Sequence, residues 1–161
     1  MLYNGNMALS KELQIGKAGE HLVCFDLIQQ GYNAFLTGQG LPFDVIVEKD
    51  GVIKKIQVKT TWKLKTCGKS KNIYRFSMRR GRGSFARLDV KEADYFAFVA
   101  LDTKHIAYFP IKKMIAKSGK IKQTMDFKSR NFKYKGRIYS TGKVRTPEWG
   151  KYLEDYWKFD L

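Results

Sequence analysis

The dipeptide Asp50-Gly51 separates two runs rich in β-branched residues, and it constrains the fold more than any other feature of the sequence. A two-residue hairpin loop of this kind needs positive φ at both central positions, which Asp and Gly tolerate. The sequence therefore predicts a hairpin of two strands over residues 43–49 and 52–62, with the residues beside the loop directly paired.

This register places three polar side chains on one face of the hairpin. Asp44 falls directly across from Gln57, and Lys59 shares their face because residues two apart on a strand point the same way. A solvated face with a weak cross-strand ion pair would carry the same residue types. The other face is predicted to enter the core, and a one-residue slip would expose it. Its residues are Phe43, Val45, Val47, Ile56 and Val58.

A helix is predicted ahead of the hairpin. Ser10 is a typical N-cap, apolar residues recur at helical spacing over 11–30, and Gly31 is a typical stop. Glu20 lies on the apolar stripe of this helix, where burial of a carboxylate is costly without a partner. Either Glu20 lies at the border of the apolar stripe, or its carboxylate binds a metal ion shared with Asp44.

The remaining pattern predicts a single domain of 161 residues, with helix, sheet and a mixed C-terminal part in that order. The core is expected over about 10–116, and a DNA-binding and oligomerisation extension over about 117–161. Further strands are predicted over 32–37, 72–78, 94–101 and 105–110, a short helix over 111–116 and a closing helix over 147–157. An aromatic stripe on the closing helix is interpreted as an oligomer contact, formed by Trp149, Tyr152, Leu153, Tyr156 and Trp157.

The formal net charge of +16 is concentrated in one stretch of the chain. Residues 54–91 hold 13 Lys or Arg and a single acid. A phosphate-bearing partner offsets the self-repulsion of such a stretch, whereas the alternative is a surface that serves solubility alone. Membrane binding needs a basic amphipathic helix, but this stretch has the pattern of strand and loop. The charge therefore favours nucleic acid as the partner.

Several classes of protein are excluded by what the sequence lacks. It has no apolar run of about 18 residues and no signal pattern at its N-terminus, so we expect a cytoplasmic protein that does not bind membranes. Two cysteines cannot form a disulfide framework or a four-thiolate zinc site. Two histidines are too few for nucleases that depend on several.

Three short motifs resemble those of the PD-(D/E)XK nuclease superfamily over about residues 13–110. They are Gly16-Lys17-Ala18-Gly19-Glu20, Pro42-Phe43-Asp44 and Gln57-Val58-Lys59. The hairpin is similar to that of a bacterial branch that includes homing endonucleases encoded in group I introns. The resemblance implies an α/β restriction-endonuclease-like core with a mixed central sheet flanked by helices and basic hairpin or loop extensions. It also implies a Mg²⁺-dependent, site-specific endonuclease of double-stranded DNA that acts in intron homing.

The resemblance also implies roles for the site residues. Asp44 is expected to be the principal metal ligand, assisted by the Val58 backbone carbonyl and by Gln57. Glu20 would bind the ion directly or through water, and Lys59 would orient or activate the attacking water. Gln57 stands where the family usually has an acid, which favours one metal ion over two.

DNA contacts are expected from the basic residues around this centre. Four lysines and one arginine are predicted to contact phosphates: Lys63, Lys65, Lys69, Lys71 and Arg75. Groove entry is predicted for Arg79, Arg80 and Arg82, and a second basic region for Arg130, Lys133, Lys135 and Arg137. Cutting both strands would need a dimer or tetramer, because one chain carries one centre. The alternatives are a Holliday-junction resolvase, a restriction enzyme, or a non-catalytic nucleic-acid-binding protein on the same scaffold.

Overall fold

The computed structural model describes residues 10–38, 40–67, 70–79, 91–131 and 152–161. Several residues named in the sequence predictions lie outside the described residues. These are Lys69, Arg80, Arg82, Lys133, Lys135, Arg137 and Trp149.

One α-helix and eight strands make up the described part of the chain, with two short 3₁₀ segments. The helix is α1 (Lys11–Gln29). The strands are β1 (Asn33–Leu36), β2 (Val45–Lys49), β3 (Val52–Thr61), β4 (Lys65–Cys67), β5 (Ser70–Ser77), β6 (Tyr95–Ala100), β7 (His105–Pro110) and β8 (Thr124–Phe127). The 3₁₀ segments are Ile111–Met114 and Leu153–Tyr156.

Both ends of α1 lie where the sequence predicts them. The Ser10 hydroxyl accepts a hydrogen bond from the Leu13 N–H at 3.3 Å, which satisfies one of the free donors of the first turn. The helix ends before Gly31, whose φ of +85° is available to glycine without strain.

The hairpin between β2 and β3 has the predicted register. Asp50 and Gly51 both have positive φ, at 52° and 79°. Lys49 pairs with Val52 and Val45 pairs with Ile56. The turn therefore fixes which side chains of β3 reach each face of the sheet.

The main sheet has five strands in the order β1-β2-β3-β6-β7. The β3–β6 pair is parallel and the other pairs are antiparallel, so the sheet is mixed, as predicted. Strands β4, β5 and β8 form a second, antiparallel sheet. The predicted α/β fold class is confirmed. Strands β4 and β8 are additions that the sequence pattern did not predict.

Two layers of core lie on the two faces of the main sheet. On one face α1 buries Val23 and Leu27 against Val45, Ile56 and their neighbours. On the other face the second sheet and the C-terminal part cover an aromatic layer, against which Leu153 packs. The layer is formed by Tyr74, Phe76, Phe96, Phe98, Phe109 and Phe127. The described part of residues 117–161 thus packs directly on the core. Within the described residues, the single helix is not both long and apolar enough to cross a bilayer.

Phe43 does not join the face predicted for it. The chain bends at Asp44 and β2 begins only at Val45, so the alternation of the strand does not extend back to Phe43. Its ring packs against the aromatic layer instead, with the Lys55 ammonium 5.6 Å from the ring centroid.

The closing helix predicted over 147–157 is wrong for its described part. The backbone of Tyr152 is extended and forms an isolated parallel β-bridge with Lys128. The 3₁₀ segment follows Tyr152 directly. Residues three apart lie on one side of a 3₁₀ turn, so Leu153 and Tyr156 both face the core. Leu153 is fully buried and the Tyr156 ring lies 4.4 Å from that of Phe109. These two side chains therefore do not form the external aromatic stripe.

Phe159 fills the end of the core beneath α1. Its side chain is 1% exposed, and its ring lies 4.8–5.3 Å from those of Tyr32, Tyr95 and Tyr108. The Gln30 side chain accepts a hydrogen bond from the Phe159 N–H at 2.9 Å. A residue far along the chain thus completes the layer that the first helix begins.

We expect Phe159→Ala to lower the free energy of unfolding by about 3 kcal/mol, because it leaves a cavity between three tyrosine rings. Urea unfolding measures this loss. Trp157→Ala is the matched control, since Trp157 is 59% exposed and its loss should cost little. Equal stability of the two variants would contradict the buried position of Phe159.

Candidate active site

The Asp44 carboxylate is fixed where the chain enters β2. Its backbone N–H donates to the Ile56 carbonyl at 2.9 Å and its carbonyl accepts from the Thr37 N–H at 3.0 Å. Its side-chain Oδ2 accepts from the Val58 N–H at 2.7 Å and from the Gln57 amide nitrogen. Both chain and side chain of Asp44 are therefore held against β3.

Gln57 and Lys59 are on the same side of β3, as the hairpin register requires. Gln57 contacts Asp44 directly, and the positive charge of Lys59 lowers the pKa of Asp44. The Lys59 ammonium also donates to the Arg79 carbonyl at 3.3 Å, at the end of β5. The structure thus brings the three polar residues of the hairpin together.

A close approach of α1 to β3 places Glu20 beside them. Gly19 is buried against Thr60, and a Cβ atom at Gly19 would lie 1.9 Å from the Thr60 hydroxyl oxygen. Glycine is therefore needed here for the helix to reach the strand. The next residue, Glu20, is carried to the edge of the site by this contact.

Glu20 is paired with a lysine of its own helix. The Lys17 ammonium lies 2.6 Å from Glu20 Oε2, and the Glu20 side chain is 14% exposed. Glu20 raises the pKa of Asp44 through its negative charge. The two carboxylates thus repel each other across the gap between α1 and the hairpin.

The balance of these effects leaves the pKa of Asp44 above its usual value. Burial is the largest cause and raises the pKa, whereas the hydrogen bond from Val58 lowers it. Glu20 raises it further, and Lys59 and Lys17 offset part of that increase. The site therefore favours a proton or another cation at Asp44.

These residues fit a hard divalent cation. Carboxylate and carbonyl oxygens are the ligands that Mg²⁺ prefers, and a cation would relieve the repulsion between Asp44 and Glu20. No cluster of three or more His, Cys, Asp or Glu is present in the described residues, so carbonyl, amide or water oxygens must complete the ligand set. The Gln57 amide nitrogen points to Asp44 and lies 3.5 Å from the Val58 carbonyl. Ligation through the amide oxygen would require this side chain to turn.

The predicted DNA contacts fall into two groups. Lys63 and Lys65 are exposed beyond the end of β3, and Lys71 lies in β5. Arg79 is also exposed, and its guanidinium donates to the side-chain amide oxygen Oε1 of Gln123 at 3.3 Å.

Arg75 and Arg130 already have acidic partners in this chain. Arg75 makes a two-point contact with Asp126 across β5 and β8, at 2.7 and 2.5 Å. Arg130 pairs with Asp155 at 2.5 Å and lies over the Tyr152 ring. A phosphate at either guanidinium must share or replace a carboxylate. The sequence did not suggest the Arg75–Asp126 pair, because β8 was not predicted.

Lys17 is the site residue to which the sequence analysis gave no role. Its three-residue spacing from Glu20 was the available signal, because side chains at i and i+3 are neighbours on a helix. The pair alone resembles an ordinary surface ion pair. Only the fold shows that Lys17 also interacts with Asp44.

A comparison with protein families matches residues 10–137 to the family described as PD-(D/E)XK endonuclease. Among solved structures, the chain is similar to a bacterial homing endonuclease, I-Ssp6803I, with 18% identity and a TM-score of 0.57. That match covers 81% of this chain and 84% of the other, and at this identity it supports the fold. No curated protein matches the sequence.

We expect Gly19→Ala to lower the free energy of unfolding by about 2 kcal/mol, because the new methyl group forces α1 away from Thr60. Gly16→Ala is the matched control on the same helix. A Cβ at Gly16 would meet nothing within 4 Å, so this change should stabilise the chain by about 0.5–1 kcal/mol. Urea unfolding of both variants measures the difference. A gain in both would contradict the close approach of helix and strand.

We expect Asp44→Asn to raise the free energy of unfolding at pH 7 in metal-free buffer. Asparagine keeps an oxygen for the Val58 N–H and removes the poorly solvated charge. Because the pKa of Asp44 is higher in the folded chain, the folded chain binds this proton more tightly, and its stability falls as pH rises past the usual aspartate range. The gain should therefore vanish below about pH 3. Urea unfolding at both pH values tests this, and a loss at pH 7 would contradict it.

Proposed function

This chain belongs to the PD-(D/E)XK endonuclease family, and from that membership we propose that it is a Mg²⁺-dependent, site-specific endonuclease of double-stranded DNA. The observation that carries the proposal is the pair of hydrogen bonds that the Val58 N–H and the Gln57 amide donate to the Asp44 carboxylate. Lys59 lies on the same face of β3 as Gln57, two residues further along the strand. The likeness to a bacterial homing endonuclease supports the homing type.

Asp44 and Glu20 would hold the metal ion, with oxygens of Val58 and Gln57 completing its ligands. The ion supplies Lewis-acid stabilisation of the phosphoryl group and a more acidic water. Asp44 suits this role because two hydrogen bonds fix its Oδ2 while burial leaves its charge poorly solvated. A single ion is favoured because the amide of Gln57 brings no negative charge.

Lys59 is proposed to act on the attacking water and on the negative charge that develops at the phosphoryl group. Its ammonium bonds to the Arg79 carbonyl, a neutral acceptor at the start of the arginine-rich segment. This contact holds the ammonium beside the hairpin, near Asp44.

DNA binding is proposed for the basic stretch that follows Lys59. Lys63 and Lys65 are exposed and follow β3 in the chain. They are proposed to contact the phosphates that flank the cleaved bond. The chain is proposed to act as one domain in a dimer or tetramer, because one centre cuts one strand at a time.

The function is tested by incubating the protein and Mg²⁺ with plasmid and with randomised duplex libraries, then sequencing the ends. Recurrent ends at one sequence support a site-specific enzyme. Preferential cutting of a four-way junction would identify a resolvase instead. Binding without nicking in Mg²⁺ or Mn²⁺ would favour a non-catalytic protein, for which the absence of a second acid at Gln57 is the supporting observation.

We expect Lys59→Ala to reduce cleavage by at least about 100-fold, as for loss of a group that acts in the transition state. Its affinity for a duplex should change by less than about threefold, because many cations share that binding. Gel-based cleavage and fluorescence anisotropy measure the two quantities. Lys113→Ala, an exposed lysine of the 3₁₀ segment, is the control that should keep both. Undiminished cutting by Lys59→Ala would refute the proposed role.

A further inference from the structure

Lys17 is already paired with one of the two carboxylates of the site. Its ammonium lies 2.6 Å from Glu20 Oε2, and its side chain is 39% exposed whereas that of Glu20 is 14% exposed. The Glu20 side chain is therefore more shielded from solvent than the lysine that pairs with it.

Lys17 also acts beyond its own partner. Its charge lowers the pKa of Asp44, which comes from the hairpin and not from α1. In an ordinary ion pair on a solvated helix surface, the lysine does not also interact with a carboxylate from another element of the fold.

We propose that Lys17 serves as the internal counter-ion of Glu20 in the metal-free protein and competes with the divalent cation for that carboxylate. The inference rests on the proposed function, because it assumes that Glu20 and Asp44 hold a metal ion. It assigns Lys17 a positioning role that limits metal affinity and keeps Glu20 in place until the ion arrives.

The geometry makes the competition direct. Glu20 Oε2 carries the Lys17 ammonium, so an ion that uses this oxygen must displace the ammonium or share the oxygen with it. Ion and ammonium also repel each other at this short range. Removing the charge of Lys17 should therefore make cation binding tighter, whereas removing a metal ligand makes it weaker.

Ca²⁺ binding measured by calorimetry without DNA tests the proposal, since Ca²⁺ takes the same oxygen ligands. Lys17→Met should bind Ca²⁺ about fivefold more tightly than wild type, as expected for the loss of a partly exposed pair. Lys17→Arg keeps the charge and should stay near wild type. Lys11→Met removes a lysine from the first turn of the same helix and is the matched control. Lys17→Gln repeats the test with a polar side chain if the Met variant folds poorly.

Thermal unfolding gives a second measurement that needs no cleavage. Lys17→Met should melt below wild type in metal-free buffer, because the repulsion between the carboxylates is no longer offset, and Ca²⁺ should raise its melting temperature by more than that of wild type. Unchanged or weaker Ca²⁺ binding by Lys17→Met, while wild type binds and Asp44→Asn does not, would overturn the role of Lys17 alone. Absence of Ca²⁺ binding by wild type would overturn the metal site itself, and this inference with it.

Discussion

The hydrogen bond from the Val58 N–H to the Asp44 carboxylate is the interaction on which the site depends. It ties the residue before β2 to the strand that carries Gln57 and Lys59, so the separation of the polar groups is set by the sheet. The energetic cost is that the Asp44 carboxylate is partly desolvated and near Glu20, and both effects raise the pKa of Asp44 above its usual range. The positive charges of Lys59 and Lys17 offset part of this cost.

Much of this arrangement is predictable from local sequence signals. The Asp50-Gly51 turn fixes the register of the hairpin, and Ser10 and Gly31 mark the ends of α1, since each of these signals depends on the backbone preference of one or two residues. The convergence of Asp44 with Gln57 follows from the register alone. Membership of the PD-(D/E)XK endonuclease family agrees with that reading.

The parts that sequence did not predict depend on contacts between distant segments. Strand β8 is short and lies in a basic, polar stretch, and only its pairing with β5 gives Met125 and Phe127 a buried face. The aromatic spacing before Trp157 suggested an α-helix, whereas a 3₁₀ turn suffices to bury Leu153 and Tyr156. The interaction of Lys17 with Asp44 likewise requires the approach of α1 to β3, which no local pattern specifies.

Strand β3 lies at the centre of the main sheet between β2 and β6, and its residues Ile56 and Val58 are buried in the core layer that includes α1. A local opening that frees this part of β3 must therefore disrupt that layer and the pairing with two neighbouring strands at once. The amide hydrogens of this strand are expected to exchange with solvent only through global opening, and so to be among the slowest in the protein. The segment that carries Gln57 and Lys59 is thus expected to stay rigid, and adjustment on ligand binding to fall to side chains such as Lys17 that lie outside it.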